Sequence, residues 1–244
     1  MKGTAILSIL ILLFISCSSN STGDSTEVED VPEELTPKQQ LVEKGKTMAN
    51  ELKAMMEDQD VQTGEIPIVF VSSNSNALIY YNQISNAVYV PWYDDLSSEM
   101  LVVMQDFADA SDMDVEEFFE TFFNTFFYYH EFAHWAQSEM DGQLSPNRYM
   151  SEIEANEITI AYLESSQEGR DFLASIEPKL NALTNFLENP TPEGVSEEEY
   201  FNENYNELGS NAYHYGYFQF KFVKNVLDQS ERPTLDEIID RRSE

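Results

Sequence analysis

Behind Thr36-Pro37, apolar residues return at helical spacing: Leu41, Met48, Leu52, Met55 and Met56. Threonine can cap a first turn, and proline suits its first position because the missing N–H would go unbonded there anyway. The pattern therefore predicts a helix to about Asp58. The texture then changes to short β-branched and aromatic runs, Ile66 to Ser72, Ala77 to Tyr81 and Ala87 to Pro91, separated by Asn- and Ser-rich breaks. These predict three strands in one small sheet. From Leu96 the pattern is helical again. Between Asp114, placed with Glu117 to cap a helix, and Gly142, placed to end it, Phe118/Phe119, Phe122/Phe123 and Phe126/Phe127 recur every four residues. Glu116, Glu117, Glu120, Thr121, Asn124 and Thr125 fill the opposite face, so the segment reads as one amphipathic helix whose aromatic stripe belongs to the core. Ser145-Pro146 predicts the start of another helix, and 170–189, 196–208, 210–227 and 234–241 predict four more, with Pro178, Pro190, Pro192 and Gly209 as punctuation. No internal repeat is visible. The expected body is a single α+β domain over 36–244, its small sheet on the N-terminal side of a mostly helical mass.

The first residues have a different character. Met1 to Ser16 read as a signal peptide, with Lys2 ahead of the apolar run Ala5 to Ile15, too short to span a bilayer. Leu13-Phe14-Ile15-Ser16-Cys17 resembles a bacterial lipobox, with Phe14 where leucine is usual. The resemblance implies lipidation of Cys17 and anchoring in the bacterial cell envelope outside the cytoplasm, at the outer membrane. The alternative is a secreted protein in which Cys17 is an incidental thiol. Residues 18–35 are acidic and nearly free of apolar side chains, the composition of a flexible tether.

Charge narrows the partners. Lys plus Arg total 13 against 45 Asp plus Glu, a formal net charge of −32, with no basic cluster to meet a phosphate backbone. That argues against nucleic acid, and confines any membrane contact to the lipid anchor. One Cys excludes an intramolecular disulfide, and excludes a cysteine-built zinc or iron–sulfur site within one chain. Any metal must be held by carboxylates and the three His, at 130, 134 and 214.

The stripe through 122 and 126 continues to His130 and His134, so both imidazoles lie on the face marked as buried, where polar groups need a partner. His130-Glu131-Phe132-Ala133-His134 is HExxH. Two His one helical turn apart can reach one Zn²⁺, and the Glu between them can act as general base toward an activated water. The alternative is two core histidines satisfied by backbone carbonyls. A catalytic zinc wants a third protein ligand and an open position. His214 is one option, but Glu152 on the following helix is the better placed. Asn156 one turn later can steady a ligand from behind. Glu154 and Glu157 are further options by proximity, though helical spacing turns them from the Glu152 face.

The chain here resembles the gluzincin metallopeptidases, whose pattern is HExxH followed after a short loop by a helix carrying ExxxD or ExxxN. HEFAHWAQ…EIEAN is most similar to two compact bacterial families. They are the neutral zinc metallopeptidases, with HExxHxxQ and a later ExxAD, and the ImmA/IrrE-type peptidases, with ExEAN. The resemblance covers 86–163 and departs from the first family in having Asn156 in place of Asp. It implies a zincin-like fold with one Zn²⁺ held by His130, His134 and Glu152, Glu131 as general base, and Asn156 supporting a ligand. Gln137 matches the family glutamine, with no role assigned. The segment NAVYVPWYDDL resembles the strand that precedes the active-site helix in these families and could line the substrate cleft. Such enzymes place a His or Tyr opposite the metal to stabilise a developing oxyanion. His214 could fill that role here, the alternative being a partly buried histidine in an aromatic helix, with Tyr213 and Tyr215 in reserve.

The resulting expectation is a zinc-dependent peptidase acting on peptides or proteins outside the cytoplasm. Its rivals are a surface lipoprotein that binds zinc without catalysis and serves as an interaction module, and a structural lipoprotein with the two His in its core.

Overall fold

In a computed structural model of the chain the described residues are 34–73 and 78–243. The leader, Cys17 and the tether as far as residue 33 lie outside them, as does Ala77 of the second expected strand. Helix α1 (Pro37–Glu57) begins as its sequence dictates: the Thr36 hydroxyl accepts from Gln39 N–H while the Gln39 side chain accepts from Thr36 N–H. Three short strands come next, β1 (Ile68–Ser72), β2 (Tyr80–Asn82) and β3 (Ala87–Pro91). Their order is β1-β3-β2, with β1 parallel and β2 antiparallel to the central β3, and Tyr81 opposite Val88. The β2–β3 turn needs a left-handed residue, and Asn86 supplies it at φ 44°.

Seven further helical stretches follow: α2 (Ser98–Ser111), α3 (Val115–Thr121), α4 (Phe127–Asp141), α5 (Arg148–Glu164), α6 (Gln167–Phe186), α7 (Glu197–Leu208) and α8 (Ala212–Leu227), with α9 (Leu235–Ser243) closing the described chain. The architecture is therefore α+β, mostly helical, with a small mixed sheet. Two expectations are revised. Pro178 does not interrupt α6, because it lies on the exposed side, where the displaced carbonyl can face water. The segment from Asp114 to Gly142 is not one uninterrupted α-helix: Phe122–Phe126 forms a π turn between α3 and α4. Such a turn carries one extra residue and rotates the helix beyond it.

That rotation splits the aromatic stripe. Phe118, Phe122 and Phe127 pack with Phe220 of α8 in one core, ring centroids 5.4 to 6.4 Å from Phe220. Tyr128, Phe132 and Trp135 instead face α1 and the sheet in a second core. Helix α4 runs between the two. Its remaining side faces α5, and this is where both histidines lie. Among the described residues no helix is long and apolar enough to cross a membrane.

Candidate metal centre

Helix α4 carries His130 and His134 one turn apart, their ring centroids 4.7 Å from each other. Helix α5, started by the Asn147 side chain accepting from Met150 N–H, brings Glu152 against them. The Glu152 Oε2 atom lies 3.0 Å from His130 Nε2 and 3.6 Å from His134 Nε2. One ligand atom from each of the three residues falls within 4.8 Å of the others, and His130 and Glu152 are buried. Ligands of a tetrahedral ion at about 2.0–2.1 Å sit roughly 3.3–3.5 Å apart, so these separations suit a small cation.

The tautomers can be read from the neighbours. The Asn156 amide donates to the Glu152 carbonyl over 2.8 Å, which leaves its Oδ1 facing His130 Nδ1 at 3.2 Å. Gln137 donates to Ser151 O and Glu154 Oε2, each over 2.9 Å, which leaves its Oε1 facing His134 Nδ1 at 2.8 Å. Both Nδ1 atoms are thereby assigned as donors, and both Nε2 lone pairs point toward one carboxylate oxygen. Three acceptors converging in a buried space repel one another unless a cation or a proton sits between them. The titration follows from this. Burial would depress the His134 imidazole, but the Glu152 carboxylate outweighs it and lifts the pKa from 6.5 to about 9. Burial would raise Glu152, yet His134 and His130 hold its carboxyl far below the usual range. A His₂Glu group built this way can hold a metal ion.

Glu131 is buried beside the cluster and does not join it. Its Oε2 accepts the Tyr81 backbone N–H over 2.7 Å, so the edge strand β2 positions it. Burial raises its carboxyl, against the opposing pull of His134 and His130. Glu131, His134 and Glu152 together line a small cavity of about 80 Å³ with Tyr80, Arg148 and Tyr215. The cleft wall is β2 and the residues just before it. The segment 86–96, expected from the resemblance to line the cleft, holds the central strand β3 and contributes nothing to this lining.

The remaining expected residues separate cleanly. Glu154 and Glu157 turn away to Arg242 and Arg241, so neither reaches the cluster. His214 is exposed in the first turn of α8, its N–H taken by the Asn211 cap, and it does not line the cavity. Tyr213 is committed to Asp106. Tyr215, on the next position, does line the cavity together with Tyr205. Burial and then the Glu152 charge push the Tyr215 phenol well up, and the same two causes raise Tyr205 to about 12, so both are protonated donors at neutral pH. Sequence reasoning missed Gln219, whose amide donates to Glu152 Oε2 over 3.1 Å from α8. A buried glutamine among phenylalanines was the available signal.

No protein-family model, curated protein sequence or solved structure matches this chain.

Proposed function

We propose that the chain is a zinc-dependent peptidase of zincin-like fold, held outside the cytoplasm by a lipid on Cys17. The observation that carries this reading is the meeting of His130 Nε2, His134 Nε2 and Glu152 Oε2 at one buried point, with a carboxylate that is not a ligand, Glu131, lining the same cavity. Two imidazoles and one carboxylate with an open side suit zinc, and the lipobox-like Leu13–Cys17 supports the location. When bound, zinc supplies Lewis acidity, activating a water and polarising a carbonyl.

The chain's own groups would do the rest. His130 and His134 are held by Asn156 and Gln137 with their Nε2 lone pairs presented inward. Glu131, its carboxyl raised by burial and its Oε2 steadied by Tyr81 N–H, is poised to accept a proton from the attacking water and return it to the leaving amine. Tyr215 stands across the cavity with a phenolic proton that can be donated to the oxygen on which charge develops. Arg148, also on the lining, adds positive charge to a cavity that holds the carboxylates of Glu131 and Glu152.

The test is elemental analysis and proteolysis on one set of proteins: the parent, Glu131→Gln and Glu152→Ala. About one zinc in the parent and in Glu131→Gln, much less in Glu152→Ala, with peptide cleavage by the parent alone, is the expected result. Zinc without cleavage on a broad peptide library would leave a zinc-binding surface module. No zinc after reconstitution would return His130 and His134 to the core.

A further inference from the structure

Beside the metal cluster, next to the small cavity, lies a larger one of about 300 Å³, and the two share Ile79, Tyr80, Glu131, Tyr205 and Tyr215 in their linings. Resting on the peptidase reading, the geometry points to this larger cavity as the pocket that selects the substrate. It takes a large aromatic side chain from a residue next to the cleaved bond.

The walls carry the argument. Phe107, Phe123, Phe127 and Phe220 line the cavity with Met100, and among the described residues the only charged group on the lining is Glu131. A charged substrate side chain would be stripped of water there and would meet no partner except the carboxylate needed for chemistry. A methyl or isopropyl group would leave much of the space unfilled and forfeit its contacts. An aromatic ring fills more of it and meets rings already arranged edge to face, such as Phe107 and Phe220 at 5.6 Å and 85°.

The sequence of α8 explains why the space exists. Positions 212, 216 and 220 fall on one helical face, and two of them carry almost no side chain, Ala212 and Gly216. Gly216 admits the Phe107 ring, since a Cβ there would stand 3.1 Å from Phe107 Cζ. Ala212, one turn away in a helix otherwise crowded with Phe and Tyr, leaves a hollow on a lining that Glu131 shares.

The experiment has a binding arm and a cleavage arm. N-acetyl-phenylalanine amide, N-acetyl-alanine amide and N-acetyl-lysine amide are titrated by calorimetry into the full chain, its His214→Ala variant, which lies off the lining, and an Ala212→Phe variant that fills the hollow. Expected are at least roughly tenfold tighter binding of the phenylalanine amide than of the other two, unchanged in His214→Ala and lost in Ala212→Phe. A Met100→Ala variant, which enlarges the hollow, should shift preference toward the tryptophan amide and guards against a folding defect in Ala212→Phe. In the cleavage arm, mass spectrometry of a digested peptide library should show aromatic residues at one flank of the cut. Cuts with no aromatic flank, or equal binding of all three amides, would overturn the pocket while leaving the peptidase reading intact. Selective binding of the aromatic amide with no cleavage of any peptide would do the reverse.

Discussion

Gln137 Oε1 sits 2.8 Å from His134 Nδ1, and the same amide gives its hydrogens to Ser151 O and Glu154 Oε2. Every capacity of this buried side chain is used, so it can take only one orientation, and it imposes one tautomer on the histidine. Glu154 is held in turn by Arg242 of α9, whose Nε donates to Glu154 Oε1 over 2.9 Å. The last helix thus supports a metal-facing imidazole through two intermediaries. Gln137→Leu keeps the volume and loses the acceptor. It should weaken zinc roughly 10–100-fold in a chelator-competition titration while circular dichroism stays that of the parent. Unchanged affinity would show that His134 needs no partner behind it.

The metal-free protein should lose stability as pH rises. His134 has its folded-state pKa lifted from 6.5 to about 9, so its contribution is fully present below about 6.5 and disappears as pH climbs through 9. Glu152 works at the acid end: its folded-state pKa is depressed, so its contribution is present above the ordinary carboxylate value and lost on acidification. The urea midpoint of chelator-treated protein should therefore fall between pH 6.5 and 9, and His134→Gln should flatten that fall. Zinc displaces the His134 proton, so metal affinity should rise over the same window. A parent and variant with parallel pH profiles would contradict the assignment.

Much of this was legible because local signals agreed with one another. Thr36-Pro37, the three β-branched runs and HExxH each declare themselves within a few residues, and Glu152 was favoured by its one-turn spacing from Asn156 together with the resemblance of EIEAN to the gluzincin pattern. The π turn was not legible, since a repeat of paired phenylalanines fits an unbroken helix equally well. Only the two separate cores on either side of α4, Phe122 and Phe127 against Tyr128 and Phe132, require the extra rotation. Which strand lines the cleft depends on the order β1-β3-β2, a tertiary fact that Ala87 to Pro91 does not contain. His214 attracted notice as the last unassigned histidine, yet α8 turns its neighbour inward.

That neighbour supports a direct contrast. Tyr215→Phe removes one oxygen from the cavity wall and should lower kcat at least roughly tenfold with little change in KM or zinc content, because a donor to a developing oxyanion acts in the transition state. His214→Ala, on the exposed side of the same turn, should leave kcat, KM and zinc content at parental values. The reverse outcome would restore the histidine as the donor.

Helix α1 touches α4 at a point where no side chain fits. A Cβ placed on Gly45 would lie 1.8 Å from the Tyr128 hydroxyl, and that hydroxyl donates to Leu41 O over 3.1 Å. Gly45→Ala gains up to about 1 kcal/mol of helix propensity but must displace a fully buried ring two residues before His130. Overpacking of this kind costs roughly 1–3 kcal/mol, so the net effect should be a lower urea midpoint together with weaker zinc binding. Tyr128→Leu, which removes the obstructing ring, loses packing on its own yet should make Gly45→Ala nearly neutral in combination. The two changes would then be coupled by a large part of the single-variant cost. Strictly additive losses would mean that Gly45 is needed for some reason other than its contact with Tyr128.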